Sequence, residues 1–539
     1  MKEVRSMKTI FIISLIIYLI YINIISTKSL HMLQQNRYNR GYRYIKWIIK
    51  NRKENFLNLT LIFFLYLLFL LSNNLISYLP YVFIILTIFL AYVFISNRLK
   101  ENIKIPLKYT SRIKRLILTN NIIHLIPCII MLLTFDESVL PVYYFILGLI
   151  AYLNLFTLIL INFLNRPLEK LVALHFKREA ERKLKSMTNM KVIGITGSYG
   201  KTSSKNILCD ILNVKYNAFK TPANYNTPFG LMITINNYLD KYNDYFIAEM
   251  GACKKGEIKE LCDLVHPTYG ILTKIGLAHL ETFGSEENIQ KTKFELIESL
   301  PEDGIGVLNG DDEKQKDYIL KNKCKIIWIG IDNHRVDCYA KDIELTYKGT
   351  KFNVKFKNLD KEYKFETKLL GRANIYNILA GIALGHELGI SIKDLQSAVK
   401  KVSPVEHRLC MKKYYDINLI DDAYNANPNG CEMAVEVLSQ MPGKKIIVTS
   451  GMIELGSKSY EKNKELGLQI ASHKIDDVIL IGKEQTKPIQ DGLKECQFSE
   501  EHIHILNDIM DSFPLMQQLK DGDTYVLLQS DLPDTFNEK

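Results

Sequence analysis

Apolar residues are distributed along this chain in two regimes. Before about residue 165 they form long runs, roughly 9–25, 56–71, 75–95, 116–134 and 139–164. A helix needs about 20 apolar residues to cross the hydrocarbon core of a bilayer. By that measure 75–95 and 139–164 are long enough outright, 56–71 is short, and 116–134 is interrupted by Asn120, Asn121 and His124. No small-x-small cleavage site follows the run at 9–25, so it is expected to be retained, either spanning or lying in the interface. The stretch GYRYIKWIIK (41–50) mixes basic, aromatic and aliphatic residues, which suits a helix on the membrane surface and equally a solvated basic loop. The pattern predicts an N-terminal α-helical transmembrane domain over 1–165, of about four or five helices, and a charged, helix-prone linker at 166–188.

From 189 onward short runs of strand character alternate with helical stretches, as in a parallel sheet flanked by helices. Two α/β domains are expected, 189–403 and 404–539. Strands are predicted at FIAEMGA (246–252), YGILTKIG (269–276) and GIGVLNGDD (304–312), each ending in polar residues. Between 341 and 368, ELTYKGTKFNVKF and EYKFETKLL predict antiparallel strands in a small side sheet, and helical pattern returns at 373–401. The second domain has predicted strands at 417–423, 444–451, 477–482 and 524–529. Ligands bind beyond the carboxyl ends of strands in open α/β sheets, which makes Glu249, His279 and Asp311 candidates for one shared site.

Charge adds an orientation. The net charge is +11, and much of the excess lies between the apolar runs. Segment 27–55 holds eight Lys and Arg and segment 96–115 holds seven, whereas 72–74 and 135–138 hold none. The positive-inside rule therefore places 27–55, 96–115 and everything after 165 in the cytoplasm. Lys2, Arg5 and Lys8 would then lie outside if 9–25 spans. No basic patch with interleaved aromatics occurs in the soluble part, so a membrane face and not nucleic acid is the expected partner. The nine cysteines show neither a Cys-x-x-Cys pair nor zinc spacing, as expected of reduced thiols in a cytosolic domain.

The sharpest chemical signal is VIGITGSYGKTS (192–203), a strand-like run that breaks into glycines before Lys201, Thr202 and Ser203. Such a loop leaves backbone N–H groups free to cradle phosphates, and the following helix adds its positive end. Lys201 would reach the outer phosphates and the Thr202 hydroxyl would sit on Mg²⁺. The spacing departs from the usual one, with Ile195 where the first glycine would stand and glycines at Gly194, Gly197 and Gly200.

In order along 190–460 follow TGSYGKTS, NYNTPFGL, AEMGA, AHLETFGS, KTKFE, VLNGDD, GRANIYNILA, EHRL, DDAYNANP and SGMIELG. This set resembles the Mur ligase family, ATP-dependent amide ligases of cell-wall precursor synthesis. DDAYNANP with SGMIELG is most similar to the branch that adds D-alanyl-D-alanine to UDP-N-acetylmuramoyl tripeptide, and the D-N-P-R signature of the diaminopimelate- or lysine-adding branch is absent. The resemblance implies a phosphate-loop central ATPase domain and a Rossmann-like C-terminal domain. It also implies ATP, two Mg²⁺ ions and an acyl phosphate that an amine attacks.

Residue by residue, the resemblance implies that Gly197, Ser198, Gly200, Lys201, Thr202 and Ser203 hold the nucleotide phosphates. Thr202, Glu249 and His279 would ligate magnesium, and Lys293 matches the lysine that the family carbamylates into a further anionic ligand. Asn374 and Asn377 match residues near the adenine, with Ala373 where the family usually has histidine. Arg408 would cross a domain hinge near 402–408 to the ribose and phosphates, its fork suited to bidentate contact. Asp422, Tyr424, Asn425 and Asn427 would sit where the C-terminal domain meets nucleotide and amine, although DDAYNANP alone also reads as a helix-capping turn. Asn226 and Thr227 match the region facing the acyl substrate. The catalytic set so implied is Lys201, His279, Lys293 and Asp422.

Nothing in 1–188 resembles the domain with which soluble members grip a UDP-sugar. The implied enzyme is a multi-pass plasma-membrane protein with cytoplasmic ligase domains. Its acyl substrate is a muramoyl peptide or a lipid-linked compound, and its amine is D-alanyl-D-alanine or a relative. An ATP-driven transporter would predict ionisable or broken membrane helices, and the apolar runs carry almost no ionisable residues. An inactive nucleotide-binding scaffold would have lost the catalytic set, which is present.

Overall fold

A computed structural model describes residues 2–36, 38, 42–51, 59–72, 78–100, 106–346, 348–424, 426–453 and 455–529. They form two compact units that divide between Leu174 and His175.

The N-terminal unit is helical, and among the described residues three helices are long and apolar enough to cross a membrane: Ser6–Gln35, Leu79–Leu99 and Ser111–Leu133. The first apolar run is thus part of a long helix. The polar residues of the fourth run are engaged inside the bundle. Asn120 Nδ2 donates to Ser26 Oγ at 3.3 Å, Asn121 Oδ1 accepts from Asn23 Nδ2 at 2.6 Å, and His124 Nδ1 lies 3.0 Å from the Tyr18 hydroxyl. Paired in this way, polar side chains hold helices together at little cost. The second run, short in sequence, carries the helix Leu59–Ser72. One run departs from expectation. The fifth, continuous in sequence, is broken into Glu137–Tyr152 and Asn154–Leu164, bent by 71°. At the break Asn154 turns inward and donates to Ser26 Oγ at 3.0 Å. The stretch at 41–50 forms the helix Tyr42–Lys50, whose Tyr44 and Ile48 are buried with Leu30, Leu33, Ile113 and Leu158, so it is not a solvated loop. Arg37, Arg40, Arg52, Lys53 and Lys104, part of the predicted charge asymmetry, lie outside the described residues.

The second unit holds both α/β domains. The first is built on β1 (Lys191–Thr196), β2 (Ala218–Lys220), β3 (Tyr245–Glu249), β4 (Tyr269–Leu272), β5 (Ile305–Asn309), β6 (Lys325–Gly330), β7 (Cys338–Thr346), β8 (Gly349–Phe356) and β9 (Glu362–Thr367). Their order is β2-β3-β1-β4-β5-β6-β7-β8-β9 in a single nine-stranded sheet. The predicted side sheet is therefore an extension of the main one. Strand β7 pairs in parallel with β6 through Ile329↔Cys338 and Gly330↔Tyr339, and only then do β8 and β9 continue antiparallel. Strand β1 is buried from Val192 to Thr196, as expected of a central parallel strand covered on both faces.

The C-terminal domain has six strands: β10 (Cys410–Tyr414), β11 (Ile417–Asp422), β12 (Lys444–Thr449), β13 (Asp477–Ile481), β14 (Ile503–Leu506) and β15 (Thr524–Gln529). Their order is β10-β11-β15-β12-β13-β14, parallel except for β10. The edge strands β2, β10 and β14 were not predicted, being short or of mixed polarity. The predicted helical stretch is the pair Arg372–Glu387 and Ile392–Lys401.

Candidate active site

The phosphate loop joins β1 to the helix Lys201–Leu212. Its glycines are required by space and by backbone. A Cβ on Gly197 would fall 1.9 Å from Thr273 Oγ1, and one on Gly200, at φ +81°, would fall 2.9 Å from Asn377 Oδ1. The loop is tied to the β4 end, where Ser198 donates from its N–H to Lys274 O at 2.7 Å and from its hydroxyl to Gly276 O at 3.0 Å. Lys201 folds back over the loop and donates to Gly197 O at 2.8 Å and Ser198 O at 3.3 Å. Burial pushes its pKa down, against the opposing pull of Glu249. Ser203 is buried in the first turn of the helix.

Beside this loop β3 delivers Glu249. Its Oε1 accepts from Thr202 Oγ1 at 3.2 Å and from Asn226 Nδ2 at 3.0 Å, and its Oε2 meets Lys205 Nζ at 2.9 Å. Both partners of that ion pair are almost fully buried. Burial alone would raise the Glu249 pKa, but Lys205, Lys201 and Asn226 outweigh it and hold the carboxyl below its usual range. Lys205 follows Lys201 by one helical turn and so faces the same side, the spacing that could have revealed it. Lys205→Met is expected to leave a buried unpaired carboxylate and to destabilise the central domain by about 3–5 kcal/mol. A chemical-denaturation midpoint equal to the parent's would show that Lys201 and Asn226 suffice.

The C-terminal domain closes onto the same loop. Arg408 Nη2 lies 3.4 Å from Thr202 Oγ1, and its guanidinium sits over the Tyr424 ring, 4.5 Å from the centroid. The Tyr424 hydroxyl in turn accepts from Asn224 Nδ2 at 3.2 Å, and Lys458 Nζ meets Glu286 Oε1 at 2.8 Å. Asn377 Oδ1 accepts from Ser204 Oγ at 2.7 Å, directly beneath the loop, while Asn374 donates to Leu370 O at 2.9 Å.

Other predicted residues have local duties. Thr227 and Asn427 are helix N-caps, accepting from Gly230 N at 3.3 Å and Gly430 N at 2.9 Å, so the capping description of DDAYNANP holds for Asn427. Asn425 lies outside the described residues. His279, at φ +60°, opens the short helix Leu280–Phe283. Asp311 does not belong to the cluster: its carboxylate accepts from the N–H groups of Ile331, Asp332 and Asn333 and from the Tyr376 hydroxyl, committing it to the β6–β7 connection. Lys293 is buried on the helix Glu286–Glu298, with Nζ 5.7 Å from the Phe283 ring centroid. Burial first, and then the neighbouring Lys201 charge, push its pKa down to about 7. Asp422 is pushed the other way by burial, up to about 7, although its Oδ1 accepts from Leu409 N–H.

The donor set fits magnesium. Among the described residues no group of three His, Cys, Asp or Glu is arranged to hold a metal. Thr202 Oγ1 and Glu249 Oε1 nonetheless offer two hard oxygens 3.2 Å apart beside the loop. Mg²⁺ is commonly held by one or two protein oxygens together with substrate phosphates and water, not by an all-protein cage.

Residues 195–385 match the Mur ligase middle domain, and residues 407–530 match the Mur ligase glutamate ligase domain. The chain belongs to the Mur ligase family. The UDP-N-acetylmuramoyl-tripeptide--D-alanyl-D-alanine ligase of Bacillus subtilis is 33% identical over 298 residues, 54% of this chain and 63% of that protein. Its Escherichia coli counterpart is 32% identical over 296 residues, 54% of this chain and 65% of that protein. The crystal structure of the MurF ligase from Thermotoga maritima in complex with ADP superposes with a TM-score of 0.59 at 27% identity, covering 68% of this chain and 81% of that one. The chain thus spans just under two thirds of the length of these two curated Mur ligases.

Proposed function

We propose that this protein is an ATP-dependent amide ligase that joins D-alanyl-D-alanine to a muramoyl-peptide precursor at a membrane. The observation that carries the proposal is the contact of Arg408 with Thr202, which brings both Mur ligase domains to one phosphate loop. In the proposed reaction a carboxylate oxygen of the acyl substrate attacks the γ-phosphorus of ATP, and the bond to the β-phosphate oxygen breaks to leave ADP. The amine then attacks the acyl phosphate carbon, loses a proton, and expels inorganic phosphate.

Phosphoryl transfer needs positioning and charge neutralisation more than covalent help. The loop N–H groups, Lys201 and Arg408 supply positive charge around the outer phosphates. Thr202 and Glu249 would hold Mg²⁺, which would supply positive charge against the phosphates. Lys293 has a neutral amine available near pH 7; carbamylated by CO₂, with release of a proton, it would present an anion where a second Mg²⁺ could bind, with His279 as a further ligand. Asn226 beside Glu249, and Tyr424 and Asp422 beside Arg408, are proposed to face the acyl and amine substrates.

The three helices long enough to span support a membrane location. The charge pattern supports a multi-pass topology in the plasma membrane with both ligase domains in the cytoplasm, where ATP is found. The helical unit also favours a second possibility for the acyl substrate, that it is lipid-linked. ADP release by the detergent-solubilised full chain with D-alanyl-D-alanine tests both, with UDP-linked and lipid-linked muramoyl tripeptide offered separately. Turnover with either form supports the ligase, and the form used assigns the acyl carrier. ADP release that needs neither acyl substrate nor amine would overturn it in favour of a transporter, whose broken membrane helix is already present at 137–164.

A further inference from the structure

The segment that carries Arg408 is built from residues unsuited to its backbone. His407 and Leu409 flank the arginine at φ +59° and +48°. This left-handed region is unusual for any residue with a Cβ, and more so for leucine, which has no polar group to bond locally. Such conformations persist only where the surroundings over-determine them.

Strand β11 provides that restraint with two consecutive carboxylates. Asp421, 4% exposed, accepts from His407 Nδ1 at 2.8 Å and from Lys412 Nζ at 2.7 Å. Asp422 Oδ1 accepts from the Leu409 N–H at 3.2 Å. Neighbouring side chains on a strand point to opposite faces, so the two acids can grip the arginine segment at separate points. The backbone adds two ties, Tyr424 N–H to His407 O at 3.3 Å and Arg408 N–H to Val405 O at 3.2 Å. Between these anchors Arg408 lies over Tyr424 and reaches Thr202.

We propose that Asp421 acting through His407, together with Asp422 acting through the Leu409 N–H, forms a clamp that sets Arg408 against the phosphate loop. His407 and Asp421 are then positioning residues that never touch the nucleotide. The clamp rests on the role proposed above for Arg408. It also gives the first acid of DDAYNANP, and the histidine of EHRL, a purpose that neither motif discloses by itself.

Glycine separates the two contributions of His407, since it accepts positive φ without strain but cannot bond Asp421. Affinity of the full-length protein in detergent for a fluorescent ATP analogue with Mg²⁺ is measured for Arg408→Ala, His407→Ala and His407→Gly, and for Arg408→Ala combined with His407→Ala. Melting temperature serves as the control for folding. Arg408→Ala and His407→Ala are each expected to weaken binding about tenfold, and their combination to cost less than about twofold beyond Arg408→Ala, because residues that act as a unit are not additive. His407→Gly is expected to stay weakened by at least about fivefold, since glycine relieves the positive φ but cannot make the bond to Asp421. The clamp is overturned if His407→Ala or His407→Gly binds like the parent, or if the two losses of the double variant multiply. Parental affinity in Arg408→Ala would overturn the nucleotide role of Arg408 itself, and the clamp with it.

Discussion

Lys201→Ala is expected to abolish ADP release by the full-length protein while leaving it inserted in membranes. The Lys201 ammonium lies on the carbonyls of Gly197 and Ser198, within the loop whose Gly197 and Gly200 leave no room for a Cβ beside Thr273 and Asn377. It is the loop's own cation, half-buried at a place where desolvation already works against its charge. Outer phosphates arriving there would restore the balance, and the ammonium would then oppose the negative charge that builds up on the transferring group. Removing one such preorganised group typically costs 10²–10³-fold, about 3–4 kcal/mol of barrier. Because the loop also orders the start of the helix Lys201–Leu212, the loss is expected to exceed about 10³-fold in kcat/KM. The measurement is coupled-assay ADP release from membranes and from detergent. Turnover within tenfold of the parent would remove Lys201 from the phosphate site.

Lys293→Ala is expected to be inactive to a similar degree, about 10²–10³-fold, and to recover in part when acetate or another short carboxylate is added. Only a neutral amine takes up CO₂, and an ordinary lysine is protonated at neutral pH. The buried amine of Lys293, with its pKa pushed down to about 7, is half neutral where an ordinary lysine is not. Activity of the parent should therefore rise as pH passes upward through about 7, and the carboxylate-rescued variant should lack that rise. The sign for stability is the same. The unfolded lysine keeps its proton up to about pH 10, so between 7 and 10 the unfolded state binds more protons and the unmodified protein gains stability as pH increases. Denaturation midpoints at pH 7 and 9, compared between parent and Lys293→Ala, check this. A fully active alanine variant would exclude the carbamate.

The parts of this protein legible in its sequence are those whose cause is local. The phosphate loop follows from a strand-like run, glycines that no side chain could replace, and Lys-Thr at the start of a helix. Membrane candidates follow from run length, and the alternating strands and helices of both α/β domains follow from periodicity. Even so, an unbroken apolar run concealed the 71° bend at Asn154, because hydrophobicity records burial and not direction. The side sheet predicted at 341–368 proved continuous with the main sheet through two parallel pairs between β6 and β7, since edge pairing joins residues that no local pattern links.

The active site divides along the same line. The loop motif alone nominated Lys201 and Thr202, a strand end nominated Glu249, and the resemblance to the Mur ligases nominated Arg408. Only the folded chain could remove Asp311 from that group, by committing its carboxylate to three backbone N–H groups and a tyrosine. Only the fold could add Lys205, and it alone set His407 against Asp421 across the strand end. A motif states which groups a chain possesses. Whether a carboxylate is spent on a turn, paired with a buried lysine or left to meet a metal depends on which partners distant segments bring within about 3 Å, the range at which hydrogen bonds form.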